Sequence, residues 1–302
     1  MVARRYYLDG KQMNEVAEEF GLSRFKVGRL LNEAREKGIV HISIEMPAEM
    51  DLPLGELLAS QYEVGRCIVV RSEGATGGAL AAILGAGAAR YLSGIISAED
   101  TLGISWGETL TSVVDSLGPL PPAAVVQLVG GAHAADLNSS GVELIRRLAA
   151  KTSGVAAPLH SPLIVGSVDI ARQLRSDPSL TATFSRYDTI SVALVGIGSW
   201  NPSRSSLFRE LPAPDRDALL VNGAIADICT FVFDSEGQEL QSPALERTIG
   251  ITSAQLRSIR EVVAVAGGRD KIYAIRAALR SGLVDTLVTD STTAQALISA
   301  GL

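Results

Sequence analysis

Three cations near the amino terminus have the spacing of a polar helix face and could bind an anionic polymer. Arg24, Lys26 and Arg29 lie outside the apolar stripe of a short helical pattern that follows Ser23. Cationic side chains near the start of an exposed helix can contact both phosphate oxygens and acceptor atoms on base edges. We therefore expect these three residues, with Ser23 beside them, to contact nucleic acid.

Two amphipathic helices would position these cations. Gly21-Leu22-Ser23 separates the two patterns; Gly21 suits a tight turn, and Ser23 suits the N-cap of the second helix. The apolar residues of both patterns follow i, i+3, i+4, i+7 spacing: Met13, Val16, Ala17 and Phe20, then Val27, Leu30, Leu31 and Ala34. Two helices joined by so short a turn match a helix-turn-helix that places its second helix in the major groove. The alternative is a plain helical hairpin with a charged outer face.

The flanking segments extend this prediction to a winged helix-turn-helix domain over residues 1–46. Residues 1–8 can form a leading helix whose Arg5 reaches phosphates, and residues 39–44 alternate as a half-buried wing strand does. His41 in that strand fits a solvated wing residue better than a specific contact. The candidate contacts to double-stranded operator DNA are Arg5, Ser23, Arg24, Lys26, Arg29 and His41.

Charge is divided unevenly along the chain. Residues 1–46 hold eight Lys or Arg against seven Asp or Glu, whereas the remainder holds nineteen against twenty-six. The acidic remainder of the chain would repel DNA. A single amino-terminal domain with few phosphate contacts would bind DNA weakly and in a salt-sensitive way. Useful affinity for DNA would need two or more such domains on one assembly, so the sequence predicts a homodimer or homotetramer.

Composition excludes several classes of protein. The 302 residues are 47% apolar and 20% charged, as in globular chains, and only two cysteines and three scattered histidines are present. These numbers favour neither a disulfide framework nor a metal site. The apolar stretch 77–89 stops at Arg90 and is shorter than a membrane span of ~20 residues. With no signal peptide visible, we expect a cytoplasmic protein that does not contact a membrane.

The rest of the chain predicts a mostly parallel α/β domain over residues 54–302, after a proline-containing linker at 47–53. The predicted strands are Cys67–Val70, Leu102–Ser105, Val125–Val129, Ala156–His160, Ile190–Val195, Ile228–Phe233, Val262–Ala266 and Thr286–Thr289. The predicted helices include Leu80–Leu92, Val142–Ala150, Val168–Leu174, Arg216–Leu220, Ser253–Ile259 and Ile272–Ser281.

Five of these strands end in glycine-rich or polar segments, at residues 105–109, 130–133, 196–199, 267–271 and 290–292. In such a sheet, ligands bind beyond the carboxyl ends of the strands, where free backbone N–H groups accommodate anions. Lys271 adds a positive charge, so a small phosphorylated or polyhydroxy ligand fits. The alternative is that the glycines only permit tight turns. Trp106 could stack on a sugar or belong to the core. Residues 85–90 and 196–201 do not complete a dinucleotide fingerprint, so no cofactor is predicted.

The whole chain resembles the SorC-type sugar-binding transcriptional regulators, a family that includes deoxyribonucleoside and central glycolytic gene regulators. The resemblance rests on six blocks behind the helix-turn-helix: residues 103–109, 127–131, 195–199, 247–251, 265–275 and 287–290. It implies a homotetramer whose effector domain is similar to sugar-phosphate isomerases and CoA transferases but serves as a sensor.

The resemblance also implies roles for particular residues. The phosphate of the effector would meet Gly130 and Gly131 together with 196–199, and Asp227 and Lys271 would hold other parts of it. Ala132 stands where many members have a hydroxyl residue, which leaves an unphosphorylated sugar or polyol open. The candidate effector contacts are Ser105, Trp106, Gly107, Thr109, Gly130, Gly131, His133, Gly196, Gly198, Ser199, Asp227, Lys271 and Asp290.

Two functions follow as hypotheses. The first is a transcriptional regulator of carbohydrate or polyol metabolism in which an effector changes the spacing of the DNA-binding heads. The second is an isomerase- or transferase-like enzyme with an appended head. Its candidate acids and bases, Asp227, Asp290, Glu108 and His133, form no recognisable pair, and residues 196–198 lack the Asp-Gly-His of hexosamine-phosphate isomerases. We therefore expect no catalytic residues.

Overall fold

A computed structural model describes residues 1–40, 49–132 and 141–300 of the chain. The chain divides into two compact units, Met1–Pro47 and Ala48–Leu302, which we call the head and the body. His41 and His133 lie outside the described residues.

The described part of the head, residues 1–40, contains three helices, α1 (Val2–Tyr7), α2 (Met13–Phe20) and α3 (Arg24–Glu36). Gly21 ends α2 with a left-handed φ of 61°, and the Ser23 hydroxyl accepts the Lys26 amide at 3.2 Å as the N-cap of α3. The facing apolar residues form the core of the head: Val16, Ala17, Val27 and Leu31. Local spacing therefore predicted both helices and their turn correctly. The wing strand stays a prediction, because residues 41–48 lie outside the described part of the chain.

The body alternates strands and helices, as predicted. Its strands are β1 (Arg66–Val70), β2 (Thr101–Ile104), β3 (Ala124–Gln127), β4 (Ala156–Ala157), β5 (Val192–Ser199), β6 (Ala226–Ile228), β7 (Phe231–Phe233), β8 (Glu261–Val265) and β9 (Thr286–Asp290). Its helices are α4 (Leu52–Tyr62), α5 (Gly77–Ile95), α6 (Glu108–Ser116), α7 (Gly141–Thr152), α8 (Val168–Arg175), α9 (Pro178–Phe184), α10 (Ser206–Glu210), α11 (Ala213–Val221), α12 (Pro243–Glu246), α13 (Ser253–Ser258), α14 (Ile272–Arg280) and α15 (Ser291–Ala300).

Seven of the strands form one parallel sheet in the order β1-β9-β8-β5-β2-β3-β4. Successive residues of β1 face opposite sides of it: Val69 belongs to one apolar cluster, and Ile68 and Val70 belong to the other. This burial on both faces explains the continuous apolar strands of the sequence. The mostly parallel α/β fold is confirmed.

One predicted strand proves to be two. The run 228–233 is apolar except for Thr230, but the chain turns at Cys229, whose φ is 57°, and forms the antiparallel hairpin β6–β7. This hairpin pairs with the end of β5, which therefore runs four residues farther than predicted, through Ser199. The predicted glycine loop at 196–199 is therefore strand.

Two predicted boundaries also move. Met50 pairs with Val70, and α4 begins at Leu52 with the Asp51 carboxylate accepting the Leu54 amide, so the second half of the predicted linker belongs to the body. Pro53 is tolerated because the first helical turn needs no N–H there.

The second boundary is that of the helix predicted at Leu80–Leu92. It runs as α5 from Gly77 to Ile95, and its 19 residues are long and apolar enough to cross a membrane by length and composition alone. Here it is a core helix, since Gly85 packs directly on the Ser112 backbone of α6.

Candidate effector site

A cavity of about 800 Å³ opens at the carboxyl ends of β2, β5, β8 and β9. Nine residues predicted from the sequence as effector contacts line it: Ser105, Trp106, Gly107, Thr109, Gly196, Gly198, Asp227, Lys271 and Asp290. They come from five separate segments of the chain. Four lie at the carboxyl ends of parallel strands, and Asp227 lies on β6, which pairs antiparallel with the end of β5.

Asp227 is the most constrained of these residues. It lies on β6 opposite Gly198 of β5, and its carboxylate accepts the Trp200 indole N–H at 2.8 Å and the Ser205 hydroxyl. Position 198 is glycine because a Cβ there would overlap the Asp227 carboxyl group. Burial raises the pKa of Asp227 to about 6, although both hydrogen bonds and the charge of Lys271 favour its ionised form.

Lys271 supplies the opposite charge. It ends a short 3-10 turn after β8, and its Nζ donates to the Ile197 carbonyl oxygen at 2.6 Å. Burial lowers the pKa of Lys271, against the raising effects of Asp227 and Glu108. Charges removed from water interact more strongly than exposed ones, so this pair can orient the hydroxyl or phosphate groups of a small ligand.

Three arginines that were not predicted from the sequence also line the cavity: Arg204, Arg209 and Arg269. Arg204 forms an ion pair with Asp270 at 3.1 Å, and both side chains are more than half exposed. Guanidinium groups bind phosphate and carboxylate in a bidentate manner, so this rim suits an anionic group. Arg204 lies in the segment after β5, and Arg209 lies on α10.

Two lining residues already have internal partners. The Asp290 carboxylate accepts the Gly268 amide at 2.9 Å and both the amide and the hydroxyl of Thr293, so it shapes the loop after β8. The Trp106 indole donates to the Gly130 carbonyl oxygen at 2.9 Å, which fixes the ring at the cavity wall. Trp106 is thus both a packed residue and a cavity residue.

Three predicted contacts do not line the cavity. The amides of Gly130 and Gly131 donate to the carbonyl oxygens of Ile249 and Ser161, at 2.9 and 2.8 Å, so neither is free for a phosphate. Ser199 is 1% exposed, and its hydroxyl donates to the Asp270 carbonyl oxygen. The hydrogen bonds of both glycine amides are thus used within the protein, and the phosphate contact implied by the resemblance stays a prediction.

In the head, Arg24, Lys26 and Arg29 are exposed on α3, as the predicted contact with nucleic acid requires. Ser23 is exposed as well, but its hydroxyl is the helix cap. Arg5 is drawn into ion pairs with Asp9 and Glu19, each at 2.8 Å, so its side chain is less available for phosphates than the sequence suggested.

Comparison with known proteins places these features in a family. Residues 46–299 match the Sugar-bind family, described as "Putative sugar-binding domain". The deoxyribonucleoside regulator of Bacillus subtilis is 29% identical, over 98% of this chain and 96% of that protein. The transcriptional regulator LsrR of Escherichia coli K12 is 28% identical, over 98% and 93%.

A solved structure extends the similarity to the whole fold. The full-length sorbitol operon regulator SorC of Klebsiella pneumoniae superposes with a TM-score of 0.79 at 26% identity. The alignment covers 98% of this chain and 96% of that one, so it includes both the head and the body. The chain belongs to the Sugar-bind family and, with it, to the SorC-type sugar-binding transcriptional regulators.

Proposed function

We propose that this chain is a cytoplasmic, DNA-binding transcriptional regulator of carbohydrate or polyol metabolism. Its head binds operator DNA through α3, and its body binds a small sugar, sugar phosphate or polyol. The observation that carries the proposal is the cavity at the sheet edge, where buried Asp227 and half-buried Lys271 meet an arginine rim.

The chemistry of the cavity favours a ligand with both hydroxyl groups and an anionic group. A carboxylate and an ammonium group suit sugar hydroxyls, which donate and accept hydrogen bonds. Arg204, Arg209 and Arg269 suit a phosphate, even though Gly130 and Gly131 do not offer their amides to it. We therefore place sugar phosphates first among the three ligand classes.

Regulation would follow from an effect of the ligand on oligomer geometry. In a homodimer or homotetramer the heads bind operator half-sites only at a particular spacing. A ligand that binds one arrangement of the assembly more tightly shifts the population toward it, and ligand and operator then change each other's affinity by the same factor.

The test is a measurement of this linkage in the intact protein. A thermal-shift screen of sugar phosphates, sugars and polyols identifies a ligand, and selection from randomised duplexes identifies an operator. We expect the ligand to change operator affinity at least about fivefold, the lower end of typical coupling free energies. Unchanged operator affinity in saturating ligand would refute the allosteric mechanism.

One observation favours a second function, that of a sugar-phosphate isomerase-like enzyme. Asp227, with a pKa of about 6, and Lys271 are groups of the kind that transfer protons. Turnover of aldose or ketose phosphates by the purified protein, lost in Asp227→Asn, would establish this function in place of pure sensing.

A further inference from the structure

Phe25 is the feature of the head that the proposed function does not yet use. Its side chain is 91% exposed, more than that of any other large apolar residue in the described part of the chain. It is not part of the apolar cluster that packs the three helices together. Phe25 therefore contributes nothing to this core in the described part of the head, residues 1–40.

The position of Phe25 on α3 identifies the face that it occupies. It is the second residue after the Ser23 cap, and exposed Arg29 and Asn32 follow at i+4 and i+7 on the same face. The buried residues Val27 and Leu31 lie on the other side of the helix. Phe25 is thus on the outer face, at the end of the helix that enters the major groove in a helix-turn-helix.

The neighbours of Phe25 favour DNA over a protein as its partner. Exposed Arg24 and Lys26 flank it, and Arg29 lies one turn along the helix. Three cations around one aromatic ring would repel a second copy of the same surface, whereas they complement a phosphate backbone. A ring held against the edges of the bases has no hydrogen-bonding atoms of its own.

We propose that Phe25 is a specificity-determining residue that contacts the C5-methyl group of a thymine in the operator. The thymine methyl is the apolar group on the major-groove edge of the bases, and phenylalanine is among the side chains that contact it. The cations position the helix, and Phe25 selects an A·T pair in one orientation. This inference rests on the proposed function, because it requires α3 to be the DNA-reading helix.

The test replaces single thymines with deoxyuridine in the operator selected by the intact wild-type protein. Deoxyuridine lacks only the methyl group, so the hydrogen-bonding edges of the base pair are unchanged. At one or two positions per half-site, we expect deoxyuridine to weaken wild-type binding about fourfold, the effect of one lost methyl contact. Phe25→Ala should bind the thymine operator about as weakly and should no longer distinguish the two bases.

Two further variants separate a methyl contact from a phosphate contact. Phe25→Leu keeps an apolar side chain and should retain part of the preference for thymine. Arg24→Ala should weaken binding to both duplexes by the same factor, as expected for a residue that binds phosphate. Because Phe25 and Arg24 are both exposed, all three variants should melt at the wild-type temperature.

The outcomes distinguish this inference from the proposed function. If wild-type protein binds its selected operator equally with thymine and with deoxyuridine at every position, the inference is wrong and the function stands. A Phe25→Ala variant that loses affinity but still discriminates thymine from deoxyuridine would also overturn it, and would indicate a wedge between base pairs. If the wild-type protein enriches no sequence at all, both fail.

Discussion

The head and the body use charge in opposite ways. The candidate contacts of the head, Arg24, Lys26 and Arg29, are exposed and lie within six residues on one helix. The central charges of the cavity, Asp227 and Lys271, lie on different elements, and burial shifts the pKa of both. A long anionic polymer can be bound by solvated cations acting together, whereas a small ligand needs a few charges held away from water.

Replacing Lys271 should have the largest effect, because it should weaken effector binding by the body and leave operator binding by the head unchanged. Lys271→Met removes a half-buried, hydrogen-bonded charge at nearly constant volume, and the loss of a charged contact to a ligand typically costs several kcal/mol of binding free energy. We expect at least about thirtyfold weaker binding of the effector found by thermal-shift screening, measured by calorimetry. Operator affinity without ligand should stay at its wild-type value.

The matched control for this change is Lys151→Met on α7, which removes the same charge outside the lining of the cavity. It should leave effector affinity unchanged. Equal losses in both variants would mean that net charge, rather than the position of Lys271, controls binding.

The converse change is made in the head. Arg29→Ala removes an exposed guanidinium from the outer face of α3, and we expect roughly tenfold weaker operator binding, as for loss of one base-edge contact. Effector binding should be unaffected. Arg35→Ala removes an equal charge from the last turn of the same helix and should have a smaller effect. Gel-shift titrations that gave equal losses would argue against contact at the amino-terminal end of α3.

Two glycines on β5 allow a sharper test within the cavity. An added Cβ at Gly198 would overlap the Asp227 carboxyl group, whereas one at Gly196 would meet no atom within 4 Å. Gly198→Ala should lower the free energy of unfolding by about 1–3 kcal/mol, the usual cost of overpacking, and should weaken effector binding. Gly196→Ala should leave stability nearly unchanged. Urea titrations that rank the two variants in the reverse order would contradict this geometry.

The last prediction is a dependence of stability on pH. Burial raises the folded-state pKa of Asp227 to about 6 from an ordinary 3.8, so the folded protein holds this proton more tightly than the unfolded chain. Asp227 therefore makes folding less favourable as the pH rises from about 4 to 6. As the pH rises from 4 to 7, the free energy of unfolding of Asp227→Asn should increase relative to that of the wild type, by roughly 3 kcal/mol at most. A constant difference across this range would contradict the buried carboxylate.

The fold could largely be predicted from the sequence, because its signals are local. Helical spacing gave α2 and α3, and continuous apolar runs gave the strands of the parallel sheet. The end of β5 could not be predicted in this way. Residues 196–199 have the composition of a glycine loop. They form a strand because three of them pair with β6, which lies much later in the sequence, at Ala226–Ile228.

The same limit explains what was missed in the cavity. Asp227 and Lys271 were identified through a family resemblance, and the topology brings them together with the predicted loops. Arg204 and Arg209 carry no local motif, so only the fold could place them there. Gly130 and Gly131 were expected to contact phosphate because of the family resemblance, although long-range hydrogen bonds to Ile249 and Ser161 already use their amides.

The division of roles between head and body is tested most sharply by comparing operator binding by the intact chain with that of residues 48–302. This cut lies at the observed boundary and keeps the Met50–Val70 pairing. We expect the shortened protein still to give the effector-induced thermal shift but to show no specific binding to the selected operator. Operator binding by residues 48–302 as tight as that of the intact chain would contradict the assignment of DNA reading to the head and of ligand sensing to the body.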